Sequence, residues 1–192
     1  MKTIAVVVGS LRKGSLSMKL AKAMEAQAEG RFVFRYVELA DLPMYNEDLW
    51  ENVPASVTAL KSAVESADAV LFVTPEYNRS IPPVVKNAID WGSRPYGKSS
   101  WNGKPGGVIG MSPGAIGAAT AIAHLRSVLV TLDVVLMGQP EVYFSYRPDT
   151  LDADGRFASP DTAAFFETYL KRFDTWIART MQPKADTQPD ND

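Results

Sequence analysis

The residues best equipped for chemistry come early in the chain. Gly9 to Ser17 reads Gly-Ser-Leu-Arg-Lys-Gly-Ser-Leu-Ser, with hydroxyls at Ser10, Ser15 and Ser17 and a guanidinium at Arg12. Hydroxyls, a forked cation and the free N–H groups of a strand-to-helix turn can together cradle a phosphate monoester without a metal. Gly9 and Gly14 share the spacing that opens a nucleotide-triphosphate loop, but Ser15 stands where its lysine belongs. A later apolar run ends in Thr74-Pro75, with no carboxylate to hold magnesium, which disfavours triphosphate hydrolysis. A GxGxxG dinucleotide signature is absent too. A polar loop that only caps a helix, with Ser15 or Ser17 as N-cap, accounts for the same residues.

Two further stretches could serve a ligand. Pro75 to Trp91 reads PEYNRSIPPVVKNAIDW, in which a rigid Pro-Glu-Tyr-Asn turn offers an aromatic ring and backbone amides to a flat heteroaromatic group. The plainer reading makes Tyr77 surface packing and Pro82-Pro83 the start of a helix. Ser112 to Gly117 is a second glycine-bearing turn, Ser-Pro-Gly-Ala-Ile-Gly.

These stretches need elements to hold them. Thr3–Val8 is nearly all apolar and reads as a strand buried on both faces. Leu16, Leu20, Ala21 and Met24 then recur at helical spacing, and Gly30 ends that helix. Phe32, Phe34, Tyr36 and Val37 suggest a half-alternating edge strand. A polar connection over Ala40–Asn52 follows, and Asn52 and Pro54 resemble the start of a helix carrying Val57, Leu60 and Val64. Ala69–Val73 is a strongly apolar third strand. Pro82 and Pro83 open a helix that Gly92 stops, and a loop covers Ser93–Lys104. Gly106–Met111 is a fourth strand, and Ala118–Val130 a helix with Ile122, Leu125 and Leu129 on one face. Asp133–Met137 and Glu141–Phe144 read as a fifth strand broken by Gly138 and Pro140. After a polar excursion over Asp149–Ser159, a last helix shows Phe165, Phe166, Tyr169, Phe173, Trp176 and Ile177 as a core face.

Strands alternating with helices imply a parallel sheet covered on both faces, with ligands beyond the C-terminal ends of the strands. The three polar turns follow strands one, three and four. They share that rim, which points to one site. The pattern predicts a single domain over residues 1–182. A polar, proline-containing tail over residues 183–192 reads as disordered.

Composition narrows the function classes. The 192 residues include no cysteine, which excludes disulfides, thiolate nucleophiles and Cys-ligated zinc or iron–sulfur clusters. A single histidine, His124, disfavours a His-based metal site or a Ser-His-Asp triad. A net charge of −2 offers no global basic surface to nucleic acid or anionic membrane. The first apolar run is short and is followed, not preceded, by Arg12 and Lys13, unlike a signal peptide. No segment approaches the length needed to span a bilayer, so a soluble cytoplasmic protein is expected.

In combination and in this order, GSLRKGSLS, PEYNRSIPPVVKNAIDW, SPGAIGA and HLRSVL closely resemble the NADPH-dependent FMN reductase family, above all its chromate and quinone reductases. The resemblance implies a flavodoxin-like three-layer sandwich, with a five-stranded parallel sheet and helices on both faces. It implies that Ser10, Arg12, Ser15, Leu16 and Ser17 hold the phosphate of FMN; many members carry asparagine where this chain has Ser17. Pro75, Glu76, Tyr77, Asn78 and Arg79 would border the isoalloxazine ring, largely through backbone groups, although the Arg79 position varies in the family. Ser112 and Gly114 would border it from the neighbouring turn. His124 is implied to be structural or interfacial.

The activity so implied is an FMN-dependent NAD(P)H oxidoreductase. NADPH or NADH reduces the flavin, and a quinone, chromate or azo compound takes the electrons. The flavin carries the chemistry, so no catalytic side chain and no metal is assigned. The family also implies a homodimer or homotetramer, for which Trp91, Tyr96 and Trp101 are candidate interface residues. Arg79 and Lys98, on loops expected at the rim, either attract an anionic acceptor or the 2′-phosphate of NADPH or are solvated surface charges. Two alternatives remain: a flavodoxin-like electron carrier, which usually shows a strongly acidic docking surface, and a reductase that releases reduced FMN to a partner enzyme.

Overall fold

A computed structural model describes residues 1–181. The expectation for the tail lies outside the described residues. Lys2–Val8 forms β1, and its apolar residues Ile4 to Val8 are buried, as a central strand covered on both faces requires. The chain continues through α1 (Leu16–Gln27), β2 (Phe32–Tyr36), a short 3-10 helix (Glu47–Asn52) and α2 (Ala55–Glu65). Then come β3 (Ala69–Thr74), α3 (Pro83–Gly92), β4 (Pro105–Ser112), α4 (Ala119–Thr131), β5 (Val135–Leu136), β6 (Val142–Ser145) and α5 (Pro160–Thr180). Asn52 ends the 3-10 helix and does not cap α2, whose N-cap position is Pro54.

Every strand pairing is parallel, in the order β2-β1-β3-β4-β5, and β6 also pairs with β4. β5 lies against Pro105-Gly106 and β6 against Ile109–Ser112, so the two short strands fill one position beside β4. This is the broken fifth strand that Gly138 and Pro140 suggest, since proline supplies no ladder N–H. β2 alternates buried and exposed residues, as an edge strand with one covered face does.

One core lies between the sheet and α1 with α5, and the other between the sheet and α2, α3 and α4. The architecture is therefore the three-layer flavodoxin-like sandwich. Phe166, Tyr169, Phe173 and Ile177 of α5 are buried, whereas Phe165 is 39% exposed. Phe157 of the polar excursion stacks on Phe166, with ring centroids 4.5 Å apart.

Two sequence expectations are corrected on the face carrying α3. Trp91 and Trp101 are both fully buried within the chain and are unavailable to a partner; of the three, only Tyr96, 93% exposed, is accessible to one. Each indole N–H donates to a backbone carbonyl, Trp91 to Pro43 at 2.8 Å and Trp101 to Ile89 at 2.9 Å. A Cβ on Gly92 would sit 2.5 Å from the Trp101 Nε1, so the glycine leaves room for that ring. Lys98 also moves off the rim, because the loop over residues 93–104 runs from the end of α3 to the start of β4. In a parallel sheet that is the opposite end from the three turns. The Lys61 ammonium organises this loop through Arg94 and Lys98 carbonyls, each at 2.9 Å, and the Ser100 hydroxyl at 2.8 Å. Burial pushes the Lys61 pKa below the usual lysine range.

Candidate functional site

The sheet reverses its strand order at β1, with β2 on one side and β3 on the other. A crevice opens beyond the strand ends at such a point. Gly9 lies there. Its N–H donates to the Val73 carbonyl at 2.9 Å, one step past the end of β1. A Cβ at this position would stand 2.8 Å from Thr74 Oγ1 and 2.9 Å from Pro75 Cδ. Only glycine lets the first loop lie directly against the turn after β3.

Ser15 is the N-cap of α1: its hydroxyl accepts from the Met18 N–H at 3.1 Å, and its own N–H donates to Arg12 at 3.0 Å. The hydroxyl proton remains free to donate. Leu16 and Ser17 follow at the first two helical positions, whose N–H groups have no carbonyl of their own helix to bond. The first turn of α1 holds no acidic residue, so the positive end of its dipole is uncompensated. Ser10 Oγ accepts from the Arg12 N–H at 3.4 Å. The Arg12 side chain is exposed and forms no ion pair among the described residues. These donors fit a dianionic phosphate ester. Ser17 fits less directly: it is 1% exposed and sits on the core face of α1 beside Leu20 and Ala21. A cavity of about 310 Å³ flanks the loop on the β2 side, where Ser10, Arg12 and Ser15 face Tyr36 to Ala40.

The turn after β3 is tight. Tyr77 and Ser80 exchange N–H···O bonds of 2.9 and 3.0 Å, while Asn78 and Arg79 take φ values of 50° and 66°. Two consecutive left-handed residues fit a type I′ turn; asparagine tolerates that conformation, and arginine adopts it at a cost of about 1–2 kcal/mol. The Tyr77 ring is 43% exposed at the rim. The Glu76 side chain turns away from the opening: its Oε2 accepts from the Thr120 and Ala121 N–H groups, both at 3.1 Å. Its other oxygen lies 3.8 Å from the Arg79 guanidinium. At the far end of the turn, Ser80 Oγ is 3.1 Å from Nδ1 of the exposed His124 on α4.

The turn after β4 is braced by residues that sequence reasoning missed. Ser112 Oγ accepts from the Gly114 N–H at 3.0 Å. From the end of β6, Ser145 Oγ donates to the Gly114 carbonyl at 2.7 Å, and Arg147 donates to Pro113 at 3.2 Å. Gly117, at φ 56°, closes the turn where a Cβ would collide with the Tyr143 carbonyl. Nothing in the local sequence marks Ser145 or Arg147, since their partners lie more than thirty residues away. The missed role of the Glu76 side chain did leave a signal: α4 begins at Ala119 without Ser, Thr, Asp or Asn at its N-cap.

The three predicted turns therefore occupy one end of the sheet, with the first and second in contact at Gly9. Among the described residues, no cluster of three or more His, Asp or Glu could hold a metal. The site consists of anion donors beside two tight turns.

Comparison with known proteins gives the family. Residues 1–149 match the family model described as NADPH-dependent FMN reductase. A 2-hydroxy-1,4-benzoquinone reductase of a Burkholderia species is 47% identical over 174 residues, which cover 91% of this chain and 95% of that protein. A quinone reductase of Pseudomonas putida is 44% identical over 176 residues, covering 91% and 94%. Among solved structures, the flavoenzyme NAD(P)H:(acceptor) oxidoreductase FerB of Paracoccus denitrificans is 49% identical. It superposes with a TM-score of 0.92 over 94% of this chain and 99% of that one. With the family model spanning all three turns, the chain belongs to the NADPH-dependent FMN reductases.

Proposed function

We propose that this chain is an NAD(P)H oxidoreductase that holds FMN at the crevice between β1 and β3 and passes electrons to a quinone. The observation that carries this reading is the first loop: acid-free at the start of α1, furnished with Ser10, Arg12 and Ser15, and pressed at Gly9 against the turn after β3. Ser10, Arg12, Ser15 and the N–H groups of Leu16 and Ser17 would hold the phosphate, with Ser17 contributing backbone only. Pro75 to Arg79 on one side and Ser112 with Gly114 on the other would border the ring. FMN held by these residues would supply the redox chemistry between a reduced nicotinamide and the acceptor. The protein contributes orientation and backbone donors, and no side chain need act as a general base.

The relatives' names favour quinones as acceptors. Under this proposal chromate and azo compounds are further acceptors, and the chain forms a homodimer or homotetramer with Tyr96 at a contact and resides in the cytoplasm. No described helix is long and apolar enough to cross a membrane.

The deciding measurement is NADPH and NADH oxidation by the purified protein, with and without benzoquinone. Quinone-dependent turnover is expected. A yellow protein that takes no electrons from NAD(P)H is a carrier and refutes the proposal. A colourless one that turns over only with added FMN supplies free reduced flavin. Sedimentation velocity reads the assembly in the same preparation.

A further inference from the structure

We infer that the Glu76 carboxylate is a positioning group for the flavin, fastening the turn after β3 to the start of α4 so that both turns bordering the ring move as one body. The inference rests on the FMN reading above. α4 has no cap of its own: its N-cap is Ala118, held at φ 69°, with no side-chain hydrogen bond and no acidic residue in the first turn. Helix starts leave several N–H groups without partners, and a local cap normally serves the second and third helical positions. Those positions are Thr120 and Ala121, and both N–H groups are taken by one oxygen of Glu76, from 44 and 45 residues earlier.

The charge belongs there as well. A carboxylate at a helix N-terminus is stabilised by the dipole, which offsets the cost of leaving the Glu76 side chain only 10% exposed. A purely local turn would have no need of a buried acid at its second residue. Here that residue sits between Pro75, packed against Gly9, and the strained pair Asn78-Arg79. Ser80, at the other end of the turn, meets His124 one helical turn further along α4. The turn is thus anchored to α4 on both sides of its left-handed pair. Because α4 is entered directly from Gly117 and Ala118, anchoring to α4 also fixes the Ser112–Gly117 turn. Glu76 acts on the ring through backbone placement, not by touching it.

The test compares Glu76→Ala with Glu76→Gln, which keeps an oxygen for both N–H groups but loses the charge. Two quantities are read: amide exchange at Thr120 and Ala121 in FMN-free protein, and FMN affinity by fluorescence titration. Glu76→Ala is expected to speed exchange and weaken FMN, each about tenfold, the size of losing a helix cap. Glu76→Gln is expected to restore both to near wild-type values. Should Glu76→Ala not fold, Glu76→Asp takes its place, one methylene short of the two N–H groups, with the same expectation.

Faster exchange with unchanged FMN affinity would reduce Glu76 to a helix cap and overturn the inference. Equal weakening of FMN by both variants with unchanged exchange would overturn it in favour of a direct charge effect. If FMN does not bind the wild-type chain, the functional reading fails and this inference fails with it. Wild-type binding together with an unaffected alanine variant sinks the inference alone.

Discussion

Among single residues, the clearest contrast is between Arg12 and Ser17, two members of one predicted phosphate loop. Arg12 is exposed and unpaired among the described residues, so its guanidinium is available to an anion at little cost. Arg12→Ala should weaken FMN by about 1.5–3 kcal/mol, the value of a charge-assisted hydrogen bond, which is roughly ten- to a hundredfold in a fluorescence titration. An unchanged affinity would remove Arg12 from the site. Ser17 is buried on the core face of α1, so its side chain has little to offer a ligand in the crevice. Ser17→Ala should leave FMN affinity within about twofold, as changes away from a contact usually do. Both residues look alike in the sequence, as polar members of a glycine-bearing loop. What separates them is helix phase, because Ser17 shares the inward stripe with Leu20 and Ala21 once Ser15 is fixed as the cap. The Glu76 side chain was hidden differently: its partners lie on another element, and only the missing cap on α4 betrayed it.

Elements were readable wherever one hydrophobic period ran uninterrupted. β3 is six apolar or β-branched residues, all buried, and β2 shows the alternation of an edge. The 3-10 helix at Glu47–Asn52 lay hidden in a polar connection, since it has no buried stripe to signal it. The burial of Trp101 was hidden too, because a loop containing Pro, Gly and Lys reads as solvent-exposed until α3 and β4 close over it. The docking of α5 depends on a contact of the same non-local kind. Arg31, just after α1, gives Glu167 of α5 hydrogen bonds of 2.7 and 3.4 Å, and Lys171 approaches at 3.3 Å. The Arg31 hydrogen bonds hold the Glu167 carboxyl below the usual carboxylate range. The folded chain thus favours the charged form, so this stabilisation is complete above the ordinary glutamate pKa and is lost as pH falls through the lower, folded one. Glu167→Gln should therefore melt below wild type near neutral pH, and the gap should close as thermal melts are taken into the acid range. A gap that persists at low pH would mean that packing, not charge, carries the contact.

Across the whole molecule, the sheet separates function from stability by end. The C-terminal ends of β1, β3 and β4 carry the three turns, with a half-exposed Tyr77 and an exposed Arg12. The opposite end carries the buried Trp101 and the caged Lys61. A parallel sheet covered on both faces makes this division natural, because its core is continuous while only one end gathers the strand-to-helix turns. Trp101→Phe tests it. The change removes the N–H bonded to Ile89 at 2.9 Å, while that carbonyl keeps the Ser93 N–H at 3.0 Å, so the cost is that of one hydrogen bond, about 0.5–1.5 kcal/mol. For a chain of this size that lowers Tm by roughly 2–4 °C per kcal/mol. The melts must be made on FMN-free protein, since bound ligand raises Tm by an amount set by its own affinity. Trp101→Phe should then lower Tm and leave the FMN dissociation constant unchanged, whereas Arg12→Ala should do the reverse. If both variants moved both quantities together, the two ends would be coupled through the sheet, and the site could no longer be treated as three turns resting on an indifferent scaffold.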